Sequence, residues 1–159
     1  MNEGIGDICG LVEEALYRYV LSKEPSFCPD EQVYRGVENR ETEANEGQNS
    51  SLRKLPSIVC VCYTAPPMPI NFRGNFEPIC SVQVISNRDD TTRADHRARV
   101  EEVFGWFLTE TIAADLTAAI ENFYVAGVVP QQITTELRMR SWVSELPMLL
   151  RQVCARRIE

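Results

Sequence analysis

The feature that most constrains this chain is a change of period within residues 74–108, GNFEPICSVQVISNRDDTTRADHRARVEEVFGWFL. Over ICSVQVIS, 79–86, Cys80, Val82 and Val84 fall on one face and Ser81 and Gln83 on the other, the alternation of a half-buried strand. Beyond residue 92 the period becomes helical. Val100, Val103, Phe104, Phe107, Leu108 and Ile112 share one stripe, which predicts a single long helix over 92–119. A strand running into a helix whose apolar stripe needs cover implies a helix layer packed on a sheet.

The joint between them, NRDDTTRADH, contains Asp89 beside Asp90 and the only histidine, His96. Paired carboxylates near an imidazole suggest acid–base or metal chemistry, but either needs convergent partners in a dry cleft. Helix capping explains the residues with less. Asp90, Thr91 and Thr92 are favoured capping types, Thr92 and Asp95 have capping-box spacing with Asp in place of Glu, and negative charge suits a helix N-terminus. His96 precedes Val100 by one helical turn and shares its inner face. Asp89, Asp90, Thr91, Thr92 and His96 are therefore read as cap and packing residues.

The rest of the chain extends the same pattern. Residues 4–21 place Ile5, Ile8, Cys9, Val12, Leu16, Tyr19 and Val20 at helical spacing, and Pro25 follows as a stop. PSIVCVCYT, 56–64, is apolar on both alternating faces and reads as a strand covered on both sides. APPMPINF reads as a stiff connection, its Pro66 and Pro69 serving loop geometry. Strands are predicted over 122–129 and 137–144, separated by a turn at Pro130, with a last strand over 148–156 after Pro147. The expected fold is α+β: an open, mostly antiparallel sheet of about four to five strands, packed by an N-terminal helix and one long central helix. With 159 residues, a single domain should bury about 68–70% of its unfolded surface.

Charge and cysteine usage narrow the functional classes. A net charge of −7 argues against a basic surface for nucleic acid or anionic lipid, and favours protein partners. No apolar run approaches the ~20 residues of a membrane helix, and MNEGIGDICG lacks a secretory pattern, so the chain is expected to be intracellular when made. Residues 30–49 carry Asp30, Glu31, Glu38, Glu41, Glu43 and Glu46 against Arg35 and Arg40, a balance of −4. The stretch ENRETEANEGQNSS, 38–51, reads as the main part of a long acidic loop at about 38–54. Residues 136–159 carry Arg138, Arg140, Arg151, Arg156 and Arg157 against Glu136, Glu145 and Glu159, a balance of +2. A solvated loop and an ordinary tail account for this polarity; so do complementary faces on neighbouring subunits, with Glu38, Glu41, Glu43, Glu46, Arg138, Arg140, Arg151 and Arg156 as candidate interface residues. Cys9, Cys28, Cys60, Cys62, Cys80 and Cys154 sit mostly in apolar segments and read as reduced core residues. Cys60-Val61-Cys62 lacks the second ligand pair of a tetrahedral zinc site, and phosphate-loop, GxSxG and HExxH motifs are missing. No catalytic, metal or cofactor-binding residue is assigned. A dyad of Cys60 or Cys62 with His96 is the one enzymatic arrangement conceivable, and thiols in such company are usually inert.

VYRGV, LPSIVCVC, RGNFEPICSVQVISNRDDTTRADHRARV and RSWVSELPM, in this order, resemble the tail terminator (tail completion) proteins of tailed bacteriophages. The resemblance covers most of residues 33–150. It rests on Leu55 and Pro56 at the entry to a strand, Gly74 and Asn75 in a turn, Asp89, Asp90 and Thr91 at a cap, and His96 early in a helix. It implies a virion structural protein, assembled in the host cytoplasm as a typically hexameric ring on the tail tube, where it ends tube polymerisation and meets the neck proteins. The tube protein, neck or connector proteins and, in a contractile tail, the sheath protein are the implied partners, without nucleic-acid base recognition, membrane or cofactor. A head-completion or connector protein is the nearest alternative, and a cytosolic thiol enzyme a more distant one.

Overall fold

The computed structural model describes residues 4–36, 54–68 and 75–155. Glu38, Glu41, Glu43, Glu46, Gly74 and Arg156 lie outside the described residues, as does almost all of the predicted acidic loop.

Helix α1 (Gly4–Ser22) buries Ile8, Val12, Ala15, Leu16, Tyr19 and Val20, the three-and-four spacing that puts one stripe on the core. It ends where Lys23 and Glu24 N–H groups bond to Val20 and Leu21 carbonyls, with Glu24 in the left-handed region ahead of Pro25. Strand β1 (Val33–Arg35) runs parallel to β2 (Ser57–Thr64). Antiparallel pairing then continues to β3 (Ile79–Asn87) and β7 (Ser141–Arg151). The far side of β7 is shared between β6 (Thr134–Arg138), beside its first half, and β5 (Gly127–Pro130), beside its last. The result is an open, mixed, six-stranded sheet of order β1-β2-β3-β7-β5, with β6 off that path. A second, two-stranded sheet joins β4 (Phe123–Tyr124) to β8 (Cys154–Ala155). Helices α2 (Arg93–Phe107) and α3 (Ile112–Ala119) complete the α+β architecture.

One face of the sheet carries the core. Ile58, Cys60, Cys62, Cys80, Val82, Val84, Leu146, Met148 and Leu150 meet α1 residues and Val103, Phe104, Phe107 and Leu116 there. The other face is covered too. Val59, Ile85 and Val143 form a second cluster with Tyr34 and Leu55, so β3 is buried on both sides and Ser81 is fully enclosed rather than solvent-facing. At Gly36 a Cβ would stand 2.9 Å from Val61 Cβ. Only glycine lets the backbone approach β2 this closely.

The long central helix is two helices. After Phe107 the Leu108 N–H bonds to Gly105 O, the tighter three-residue pattern, and the Thr109 hydroxyl reaches Trp106 O. Leu108 is consequently 51% exposed and leaves the predicted buried stripe, while Ile112 and Leu116 turn inward on a new axis. The late strands also differ from expectation. The 122–129 segment divides into β4 and β5; the 137–144 segment spans the end of β6, a turn with Met139 in the left-handed region and the start of β7; the 148–156 segment divides at Gln152, also left-handed. Pro147 lies inside β7 rather than before it. Its carbonyl accepts from Gln131 N–H (2.8 Å), so its backbone faces away from β3, into the gap between the β6 and β5 pairings, where no ladder N–H is needed.

Candidate functional site

The strand-to-helix joint is built from local hydrogen bonds. Asn87 Oδ1 accepts from Asp89 N–H (2.9 Å), Asp90 accepts from the Thr91 hydroxyl (2.8 Å), and Thr92 Oγ1 accepts from Asp95 N–H (3.1 Å) at the start of α2. The cap is therefore Thr92, whereas Asp90 accepts from the Thr91 hydroxyl beside it. Asp89 faces Arg140 at 3.8 Å, and Arg88 N–H donates to Arg140 O (2.7 Å), tying the joint to the β6–β7 turn.

One turn into α2, His96 is 2% exposed and held at both ring nitrogens. Nδ1 lies 2.8 Å from Ser86 Oγ on β3, and Nε2 lies 2.9 Å from Ser144 Oγ on β7. Ser144 Oγ is in turn 2.8 Å from Thr135 Oγ1 on β6, and Arg99 Nη1 donates to Ser86 Oγ (3.1 Å) and Thr91 Oγ1 (3.3 Å). The Trp142 ring stacks beside the imidazole at 6.3 Å. Burial, and then the Arg99 charge, hold the His96 pKa below its ordinary value, so the ring is neutral near pH 7. A cleft of about 280 Å³, lined by Arg93, His96, Arg97, Val100, Glu101, Thr135 and Ser144, opens beside it. Among the described residues both ring nitrogens meet hydroxyls and neither meets a carboxylate, so the geometry is that of a polar tie between helix and sheet.

The thiols lie elsewhere. Cys60, Cys62 and Cys80 are buried on the core face, and burial is the main cause that pushes all three pKa values up strongly. Cys28 is pushed up to about 11, again chiefly by burial. His96 bonds to serines, so the Cys–His dyad conceivable from sequence is not assembled. Glu13, buried on α1, accepts from Cys62 N–H (2.8 Å) at the irregularity between Cys62 and Thr64 in the β2–β3 ladder. Its carboxylate gives a partner to a β2 backbone N–H that lies beyond the last residue paired with β1. Among the described residues no group of His, Cys, Asp and Glu is placed to hold a metal ion.

On the opposite sheet face, Glu145 Oε2 accepts from the Tyr63 hydroxyl, from Ser81 Oγ (2.7 Å) and from Gln83 Nε2 (3.1 Å). Burial works against its ionisation, but these three bonds together with the Arg138 charge outweigh it and hold the carboxyl below its ordinary pKa. From sequence Glu145 was one unit in a charge balance. Its cross-strand position opposite Gln83 is the signal that pairing register alone supplies. Of the candidate interface arginines, Arg138 bonds Glu136 (2.6 Å) and Arg151 bonds Glu77 (2.9 Å), whereas Arg140 is 84% exposed at its side chain. No helix among the described residues is long and apolar enough to cross a membrane. Compared with known family models and with curated proteins, the chain matches none.

Proposed function

We propose that this protein is a tail terminator of a tailed bacteriophage, a structural subunit that assembles as a ring on the tail tube, stops its polymerisation and presents a surface to the neck. The observation that carries the reading is the open sheet. Its β6 edge is exposed at all five residues and, among the described residues, pairs on one side only, near the β3–cap–α2 unit on which the family resemblance rests. Such an edge is a ready template for a neighbouring chain, and head-to-tail contacts of this kind close into rings when the rotation allows. The surface around the β6–β7 turn, with Arg140 and the 95% exposed Met139, would lie at a subunit or neck contact. The partners under this reading are further copies of the chain, the tail tube protein, a neck or connector protein, and a sheath protein where the tail contracts.

The test is to polymerise the tube protein of the same phage with and without this protein. Short tubes capped at one end by a ring support a terminator. Tubes of unchanged length, with the protein bound instead to purified neck components, favour the connector alternative.

A further inference from the structure

The hydroxyl chain around His96 has a direction. With Arg99 donating to Ser86, the Ser86 proton can go to His96 Nδ1, and in that arrangement the ring is the Nε2–H tautomer and donates to Ser144, which shares a further hydrogen bond with Thr135. The chain runs from α2 through β3 and β7 to β6, an edge strand whose five residues are all exposed. We propose that His96 is a pH-sensitive latch on the sheet edge: protonation of the ring releases β6 from β7 while the rest of the fold stays closed. This device stands apart from the assembly reading.

The argument is one of charge and access. Protonation puts a second donor on Ser86, which already accepts from Arg99, and leaves the Ser86 proton without its acceptor. It also sets a cation beside the Arg99 guanidinium. Among the described residues, the groups facing the ring offer no compensation: β3 contributes Ser86, β7 contributes Ser144 and Trp142, and β6 contributes Thr135. From α2, Arg93, Arg97 and Glu101 line the outer cleft, a net positive set, and Asp90 reaches the cluster only through Thr91. A buried imidazolium without a carboxylate partner must therefore gain water. β3 and β7 are central strands packed on both faces, and α2 is anchored by Val103, Phe104 and Phe107. β6 is the element with the least to lose, and its Thr135 forms one wall of the cleft. The linkage sign agrees. A folded pKa below the ordinary 6.5 means that the closed state binds fewer protons, so closure is favoured above pH 6.5 and weakens as pH falls from there toward the folded value.

The test is backbone amide hydrogen exchange of the full chain between pH 7.5 and 5.5, with each rate corrected for the intrinsic pH dependence of exchange. In the window below pH 6.5, protection of Thr134–Arg138 should fall by up to about tenfold per pH unit, while β2 and β3 stay protected. In His96→Gln the fall should vanish. Because that variant risks misfolding, Thr135→Val provides a second readout: with the β6 tie removed, the imidazole NMR titration, unambiguous for the sole histidine, should move up toward its ordinary value. Protection that is flat with pH, an equal slope in His96→Gln, loss of protection across β2 and β3 together, or an unmoved titration in Thr135→Val would each overturn the latch.

Discussion

At the scale of single residues, small hydroxyls and one carboxylate organise both faces of the sheet. Glu145 is held ionised by Tyr63, Ser81 and Gln83, so its contribution to stability is present above the unfolded carboxyl pKa and is lost as pH falls through the lower folded value. Glu145→Gln should therefore lose less thermal stability than the parent protein between pH 5 and 3, and equal losses would remove Glu145 from the acid response. Thr92→Ala removes the acceptor for Asp95 N–H and should cost about 0.5–2 kcal/mol in denaturant unfolding, with Thr92→Ser retaining most of it. The Thr92 cap and the inward face of His96 were legible in the sequence, because both depend on spacing along one helix, whereas Asp89, Asp90 and Thr91, read as cap residues too, bond elsewhere. Ser86 and Ser144, the residues that hold the ring, were not, since isolated serines in a strand carry no periodic signal and meet His96 only through the β3–β7 register.

At the scale of elements, legibility followed the strength of the local period. The alternation of β3, the two-faced apolar run of β2 and the stripe of α1 all became elements close to their predicted limits. The break after Phe107 was hidden, because Leu108 and Ile112 continue the helical spacing and the Thr109 hydroxyl that competes for the backbone carries no periodic signal. The β6–β7 turn was hidden for a related reason: Met139 adopts positive φ without the glycine or asparagine that usually marks it. Paired substitutions test this division. Phe104→Ala, in a fully buried position, should cost about 3–5 kcal/mol. Leu108→Ala, half exposed beyond the helix end, should stay within about 0.5 kcal/mol, and comparable losses at the two sites would restore the single helix.

At the scale of the whole molecule, the sheet among the described residues is open at β1 and at the β5/β6 side, and two of the candidate interface arginines are paired within the chain. Arg138 bonds Glu136 and Arg151 bonds Glu77, whereas Arg140 at the β6–β7 turn keeps a 3.8 Å contact with Asp89 and, of the described candidate interface arginines, has the most exposed side chain. Under the proposed role, Arg140→Glu should weaken ring or neck association and leave the melting temperature nearly unchanged, as befits an exposed side chain. The helix-on-sheet arrangement was legible because amphipathic patterns dictate which faces must meet. The sheet edges were not, because they depend on where β5, β6 and β7 begin and end. The measurement that bears most directly on the proposed role is negative-stain microscopy of particles from an infection in which this gene carries an early stop codon. The account predicts headless tails of uncontrolled length; tails of normal length, whether free or joined to heads, would contradict it.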